Sequence, residues 1–192
     1  GLACSFATMV DFYPERLTDR NFGPQTDPFA GAPYFDGGPY YSFDPAAGRM
    51  NNLRWGVRGR IWSALLARAP DEARQFIRRH GAYTPAKTFK FPLLRTSAGV
   101  QRVGDHNVSP DARVASCCAL AHFKFYPGLD EKLATALREK QYFRGSIEYA
   151  LLDLALRQIA DHSLLDAASR RFRGPADLAE AGLFDLPGVP AA

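Results

Sequence analysis

The sequence predicts an α/β fold with a mixed sheet and flanking helices. Strand-like patterns, either apolar runs or alternating apolar and polar residues, recur over the first two thirds of the chain. Beyond residue 128, apolar residues recur at spacings of three and four, which indicates helices. With 192 residues, 46% of them hydrophobic, the chain is long enough to bury a core. We therefore expect a sheet-forming part over 1–128, with a long aromatic loop at 15–50, and a helical segment over 129–192.

The first predicted strand covers 2–13 and is closed by Pro14. The loop at 15–50 is rich in Pro, Gly and aromatic residues, and it is too broken for a long helix. Its aromatic clusters lie at 34–36, which includes Tyr34 and Asp36, and at 40–44. Aromatic faces pack against the apolar faces of pyranose rings, so these clusters suit a sugar-stacking wall. The alternative is that they hold the loop to the core.

Further strands are predicted at 54–62, 88–95, 100–103 and 114–125, with a helix at 70–80 that Gly81 ends. In the first of these strands, Arg54, Arg58 and Arg60 alternate with apolar residues, which predicts one basic and one apolar face. Such a face suits a diphosphate or an anionic acceptor, or else it is simply solvated. A turn at 104–107 carries His106, which either faces the site or is exposed and idle.

The segment 115–126 is the most informative part of the chain. Its small and apolar residues predict a strand covered on both faces, and from His122 onward polar and aromatic residues alternate. His122 and Lys124 therefore share one face at the end of a strand, where ligands of open α/β sheets collect. An imidazole beside an ammonium group can meet a metal ion and a phosphate there. The alternative is a core histidine bonded to a backbone carbonyl.

The carboxyl-terminal part is predicted to be helical at 129–140, 147–162, 164–172 and 175–181, with an irregular tail at 182–192. Gly145 and Ser146 separate the first two predicted helices, and Ser146 is a candidate cap for the second. Glu148 falls in the first turn of the second helix, where a negative charge is favourable.

Composition and motifs exclude several classes of protein. The net charge of +4 is mild, and the charges are interspersed, unlike those of a dedicated DNA-binding protein. The sequence has no Walker loop and no GxGxxG, GxSxG or HExxH motif, which argues against kinases, dehydrogenases, serine hydrolases and zinc peptidases. We expect the three cysteines to form neither a disulfide nor a zinc site. Without a charged leader or an apolar run of the ~18 to 20 residues that a membrane span needs, we expect a cytoplasmic protein with at most peripheral membrane association.

Four short motifs occur in the order known from one family: 10–14 (VDFYP), 55–58 (WGVR), 121–125 (AHFKF) and 145–149 (GSIEY). The chain resembles the carboxyl-terminal part of bacterial family-2-like glycosyltransferases of the GT-A type, from about residue 6 to residue 149. The amino-terminal half of that family, with its nucleotide-binding residues and its Asp-x-Asp-type acidic motif, has no counterpart in this sequence. Because the chain also starts without methionine inside a predicted strand, we expect an incomplete GT-A-like core that is inactive alone.

The resemblance implies transfer of a sugar from a nucleoside-diphosphate donor to a glycan or other hydroxyl acceptor, with Mn²⁺ or Mg²⁺ in the complete enzyme. It makes His122 a metal ligand, and it makes Lys124 and Arg58 candidates for binding the diphosphate. Asp11, at a strand end, is the candidate base for the acceptor hydroxyl, or else an aspartate that caps a turn. The remaining substrate-binding candidates are His106, Tyr34, Asp36 and Glu148.

A second class stays open, a non-catalytic carbohydrate-binding or interaction module that uses the aromatic loop. Nucleic-acid binding through the arginine strand is a weaker third interpretation, and we expect no nucleic-acid partner. The expected partners are a nucleotide-sugar donor, a glycan acceptor and the missing amino-terminal half of the same protein.

Overall fold

The protein is described by a computed structural model that covers residues 4–20, 23, 27–44, 49–84, 87–95, 101, 106, 108 and 114–184. In chain order its elements are β1 (Cys4–Phe12), a 3-10 turn (Leu17–Arg20), α1 (Pro28–Gly31), β2 (Tyr34–Asp36), β3 (Tyr41–Asp44), β4 (Arg49–Asn52), α2 (Gly56–Arg68), α3 (Pro70–His80), β5 (Phe89–Leu94), β6 (Val114–Phe123), α4 (Leu129–Glu139), α5 (Phe143–Gln158), β7 (Ser169–Arg171) and α6 (Pro175–Glu180). The prediction of an α/β fold with a mixed sheet and flanking helices is confirmed.

The main sheet has three strands in the order β5-β1-β6. Strand β1 pairs antiparallel with β5 and parallel with β6, so the sheet is mixed. The central strand is almost fully buried: Phe6, Ala7, Val10 and Phe12 are at most 1% exposed. The parallel register places Asp11 beside His122, at the carboxyl ends of both strands.

Two small antiparallel sheets involve the loop segment, and one of them connects it to the carboxyl-terminal part of the chain. Strand β2 pairs with β7, and β3 pairs with β4. Because β7 comes from the carboxyl-terminal part of the chain, the regions 1–128 and 129–192 are joined by a strand pair. They also share an apolar cluster in which Tyr13 and Leu17 pack with Leu151 and Leu164.

The predicted strand at 54–62 is wrong, because the segment forms the first half of helix α2. Val57, Ile61 and Leu65 repeat at a spacing of four and are buried, which is the period of a helix rather than of a strand. The alternation of basic and apolar residues is short enough to fit both periods. In the helix, Arg58 and Arg60 project about 200° apart instead of sharing a face.

Strand β6 is not covered on both faces, contrary to the prediction. Ser116 and Ala121 are exposed, and Leu120 is 39% exposed. The reason is the position of β6 at the border of the sheet: within the described residues it pairs only with β1. Its small apolar residues therefore reflect burial on one side only.

The other predicted elements have mixed outcomes. Strands at 2–13 and 88–95 and helices at 70–80, 129–140 and 175–181 are confirmed within one or two residues by β1, β5, α3, α4 and α6. The predicted helix at 164–172 is wrong, since this stretch is a turn followed by β7. Most of the predicted strand at 100–103, most of the turn at 104–107 and most of the tail at 182–192 lie outside the described residues.

The predicted break near residue 145 is confirmed. Arg144, Gly145 and Ser146 have positive φ angles inside α5, so the regular helix starts at Ile147. Ser146 is not shown as the predicted cap, because its hydroxyl accepts a hydrogen bond from the backbone nitrogen of Tyr142 at 3.4 Å. Among the residues that the structure covers, no helix is both long and apolar enough to cross a membrane.

Candidate functional site

Two neighbouring parallel strands bring a carboxylate and an imidazole together at their carboxyl ends. Asp11 is the penultimate residue of β1 and is 6% exposed, and His122 is its register partner on β6. The Nδ1 atom of His122 lies 2.5 Å from Oδ1 of Asp11. The strand pairing therefore fixes an Asp-His dyad at the edge where ligands of α/β sheets collect.

A buried arginine from helix α2 holds the carboxylate from its other side. Arg58 donates from Nε to Asp11 Oδ2 at 2.6 Å and from Nη2 to Oδ1 at 2.8 Å, which is a bidentate pair. Its Nη1 atom forms an ion pair with Glu148 Oε1 at 2.9 Å. Arg58 is only 4% exposed, so its three nitrogens are committed to protein carboxylates.

Lys124 completes the group from just beyond β6. Its Nζ atom lies 2.5 Å from Glu148 Oε1 and 5.4 Å from the centre of the Tyr149 ring. Burial lowers the pKa of Lys124, and the charge of Arg58 lowers it further, while Glu148 opposes both effects. We call Asp11, Arg58, His122, Lys124 and Glu148 the Asp11 cluster. When His122 is neutral, the two carboxylates of the cluster, Asp11 and Glu148, balance the charges of Arg58 and Lys124.

The charges of the Asp11 cluster determine which nitrogen of His122 is available. Burial alone would raise the pKa of Asp11, but the charge of Arg58 and the hydrogen bonds from His122 and Arg58 outweigh it and hold the pKa well below its usual range. Asp11 is therefore an ionised acceptor, and a contact as short as 2.5 Å requires the proton on Nδ1. The 3.2 Å approach of Arg58 Nη2 to Nδ1 is then a contact between two donors rather than a hydrogen bond.

The Nε2 atom of His122 is left with the lone pair of the neutral ring. The side chain is 32% exposed, and among the described residues its hydrogen-bond and ion-pair contacts involve Nδ1, not Nε2. A carboxylate that fixes the tautomer and supports the imidazolium is the arrangement found behind catalytic and metal-binding histidines. The geometry makes Nε2 the accessible basic atom of the cluster.

A second polar network lies on the other side of α2. Arg60 donates to both oxygens of Asp36 at 2.8 Å and to the Tyr13 hydroxyl at 2.7 Å, and the Tyr13 hydroxyl also bonds to Asp36. Arg60 further contacts Asp166 Oδ2 at 3.1 Å, and the Tyr13 hydroxyl lies 2.9 Å from Ser169 Oγ. Burial raises the pKa of Tyr13, and the charge of Asp36 adds to that rise, so the phenol stays protonated. This network ties β1, β2, α2 and the turn before β7 together.

An open cleft of about 490 Å³ runs along the outer face of α2. The helix supplies one wall through residues that share a face: Trp55, Gly56, Gly59, Arg60, Trp62 and Ser63. Asp36, Asp166 and Ala168 line the opposite side, and Arg54, Tyr83 and Thr84 complete it. The sequence contains two tryptophans, and both line this cleft. We call it the tryptophan cleft.

Two glycines let the walls of the tryptophan cleft approach each other. A Cβ atom on Gly59 would lie 2.7 Å from Trp55 Cβ, so the side chain of Trp55 folds directly over this position. Gly56 has a φ of +57°, and a Cβ there would lie 3.3 Å from Asp36 Oδ2. Glycine is unfavourable within a helix, and here it makes room for the indole and the carboxylate.

Most of the described rings in the aromatic clusters of the 15–50 loop lie in the core instead of forming a sugar-stacking wall. Phe35, Tyr40 and Tyr41 are buried in the core, where Tyr41 shares a hydrogen bond of 2.7 Å with Thr88. Tyr34 is half-buried and packs beside Tyr13. These large rings bury more apolar area in the core than they would on the surface, which favours the alternative interpretation of a loop held to the core.

The structure separates the remaining predicted site residues. Asp11, Arg58, His122, Lys124 and Glu148 come together, and Asp36 belongs to the tryptophan cleft. His106 is bonded through Nδ1 to the carbonyl of Phe89 at 2.6 Å and packs against that ring, next to β5. It contacts none of the Asp11 cluster in the described part of the chain.

The expected metal ion lacks a full set of ligands within the described residues, where no group of three His, Cys, Asp or Glu side chains is placed to hold one. Mn²⁺ and Mg²⁺ need several oxygen ligands, whereas both oxygens of Asp11 are taken and His122 offers one nitrogen. The described residues therefore do not by themselves fit the ion.

Trp55 and Trp62 are the site residues that the sequence interpretation does not identify, and Arg60 was expected on a basic strand face rather than in this cleft. The signal was present, because Trp55, Gly59 and Trp62 are spaced by four and three, which places them on one face of a helix. Comparison with protein-family models, curated proteins and solved structures finds no match for the chain. We therefore infer its function from the Asp11 cluster, the tryptophan cleft and the motifs of the sequence.

Proposed function

We propose that the chain is the carboxyl-terminal part of a GT-A-type glycosyltransferase core, cytoplasmic, that transfers a sugar from a nucleoside-diphosphate donor to a hydroxyl acceptor. The single observation that carries the proposal is the Asp11-His122 dyad at the carboxyl ends of two parallel strands, with Nε2 of His122 open. The order of the four motifs supports the same class. Two of them, at 10–14 and 121–125, supply the dyad.

In this proposal His122 is the base, rather than Asp11. Asp11 has both oxygens occupied and a pKa held far below its usual range, so it is a poor proton acceptor. His122 Nε2 takes the proton of the acceptor hydroxyl as that oxygen bonds to the anomeric carbon of the donor. The bond from this carbon to the diphosphate oxygen breaks, and the diphosphate leaves with the electron pair. Asp11 stabilises the imidazolium that forms.

Arg58 and Lys124 act in this scheme as positioning residues. Arg58 is buried and Lys124 is partly buried, and both are paired with Asp11 or Glu148, so neither offers a free cation to a diphosphate. Arg58 orients the carboxylate that orients His122. The described residues do not complete a site for Mn²⁺ or Mg²⁺, so the proposed roles are those of the side chains alone.

A non-catalytic carbohydrate-binding module is the second candidate, and the tryptophan cleft is the observation that favours it. The two functions differ in one requirement. A transferase needs the donor sugar next to His122, whereas a binding module needs no donor. Donor binding is therefore the discriminating measurement.

The test uses ring-nitrogen NMR of the four histidines of the chain, with turnover expected to be negligible for this chain alone. UDP-, GDP- and dTDP-linked hexoses are titrated to 10 mM in buffer with Mg²⁺. The nucleotide-binding residues of the proposed parent enzyme have no counterpart in this chain, but the sugar and diphosphate end of a donor would still lie against His122. At millimolar concentration we therefore expect at least one donor to shift the His122 signals saturably while His162, outside the cluster, stays unchanged. His122→Gln identifies the signal and should weaken donor binding about tenfold. If no donor shifts His122, the transferase proposal is wrong.

A further inference from the structure

The exposure of Trp55 is the first observation that the Asp11 cluster does not explain. This side chain is 46% exposed at the start of α2, although burying an indole is strongly favourable. It borders the cleft instead of the core, and Gly59 leaves room for it to lie over the helix. Trp62, partly buried against Tyr83 at a ring separation of 5.6 Å, continues the aromatic surface inward.

The polar lining of the tryptophan cleft has no excess charge. Its four charged side chains are Asp36, Asp166, Arg54 and Arg60, which are two anions and two cations. Carboxylates and guanidinium groups are planar and bidentate, a geometry that matches the neighbouring hydroxyl groups of a sugar. Ser63 and Thr84 add exposed hydroxyls. A balanced lining does not select a phosphate or a nucleotide, which would require a net positive site.

Size and preorganisation also suit a small ligand. A cleft of about 490 Å³ lies within the range of small-molecule sites. Asp36 and Arg60 are fixed by their own bidentate pair and by Tyr13, so these polar groups are in place without a ligand. Binding then costs little ordering of side chains.

We propose that the tryptophan cleft binds a neutral saccharide, with a pyranose ring stacked on Trp55 and its hydroxyl groups bonded along the rim formed by Arg54, Asp166 and Thr84. In the proposed transferase this saccharide would be the acceptor, and that role rests on the proposed function. Tyr83 lines the cleft, and burial raises its pKa, with the charge of Glu148 adding to that rise.

The experiment uses intrinsic tryptophan fluorescence, which reports on this cleft because both tryptophans lie in it. The full chain is titrated with maltotetraose, cellotetraose, mannotetraose and chitotetraose, and separately with UMP and GMP. We expect a saturable emission change with at least one tetrasaccharide and none with the nucleotides. Saturable binding of a nucleotide without any of the sugars would overturn the proposal, as would no response to any sugar.

Trp55→Ala should weaken saccharide binding about tenfold, followed through Trp62 and through saturation-transfer NMR of the sugar. The matched control is Phe143→Ala, which removes a 79% exposed ring outside the cleft and should leave the affinity unchanged. Circular dichroism checks the fold of each variant. Unaltered binding by Trp55→Ala would refute the assignment. Sugar binding without a donor-induced shift of His122 would support the saccharide site and contradict the transferase proposal. A donor-induced shift of His122 without sugar binding would support the transferase proposal and contradict the saccharide site.

Discussion

Substituting Asp11 by Asn tests whether the Asp11 cluster is held together as its geometry indicates. The side chain keeps its size but loses its charge, and an amide nitrogen replaces one of the two acceptors that Arg58 uses. After the change the remaining charged groups of the cluster other than His122 are buried Arg58 and the partly buried Lys124 and Glu148, with a net charge of +1. We expect Asp11→Asn to lower the free energy of unfolding at pH 7 by about 3 kcal/mol, the lower end of the range for breaking a buried pair, because Arg58 keeps Glu148 at 2.9 Å.

The assay is urea unfolding followed by circular dichroism and fluorescence. Two-state behaviour is checked by whether both signals give the same dependence of the free energy of unfolding on urea concentration. Asp153→Asn is the matched control, since Asp153 pairs with Arg157 on the exposed surface of α5. That change should cost less than about 0.5 kcal/mol. The double variant Asp11→Asn with Arg58→Met should be more stable than Asp11→Asn alone, because it removes the uncompensated charge. A loss below about 1 kcal/mol for Asp11→Asn would refute the reasoning.

Three further outcomes are expected. The pKa of Asp11 is lower in the folded than in the unfolded chain, so its stabilisation is complete above about pH 4 and is lost as the pH falls toward the folded value; the stability difference between wild type and Asp11→Asn, measured by urea unfolding from pH 7 to 3, should shrink only below pH 4. Gly59→Ala should displace Trp55 and lower saccharide affinity in the fluorescence titration while the circular dichroism spectrum stays the same, and unchanged affinity would count against stacking on Trp55. Strand β6, which pairs only with β1 among the described strands, should promote self-association at high micromolar concentration. Sedimentation should show this reduced by Leu120→Lys but not by Leu66→Lys, a similarly exposed leucine on α2, and a monomeric wild type would contradict the expectation.

Elements with strong local signals could be predicted from the sequence. Helix α3 has acidic residues in its first turn, basic residues in its last turn and Gly81, at a φ of 79°, directly after it. Strand β1 ends before Pro14 as expected. Helix α2 is not predicted from the sequence because basic and apolar residues alternate over 54–62, whereas the helical spacing of Val57, Ile61 and Leu65 extends beyond that segment. The tryptophan cleft is not predicted either, because its wall exists only if 56–63 is helical.

The members of the Asp11 cluster were all named as candidates, but their arrangement was beyond local reasoning. Arg58 and Asp11 are 47 residues apart, and His122 and Asp11 are 111 apart, so the pairings depend on sheet register and helix packing. From the sequence, Arg58 was expected to face a diphosphate. Its burial against two carboxylates follows from helix α2 lying over the end of β1, which no short motif encodes.

Helix α2 is held on two sides by ion pairs that leave it in different directions. Arg58 ties it to Asp11, and Arg60 ties it to Asp36, about 200° away around the helix axis. A turn of the helix about its own axis would have to break one pair or the other. The distance between the imidazole of His122 and the tryptophan cleft is therefore set before any ligand arrives. If a sugar binds in that cleft, its distance from His122 is fixed by the protein. The length of the ligand, rather than a movement of the protein, would then decide which hydroxyl group reaches the base.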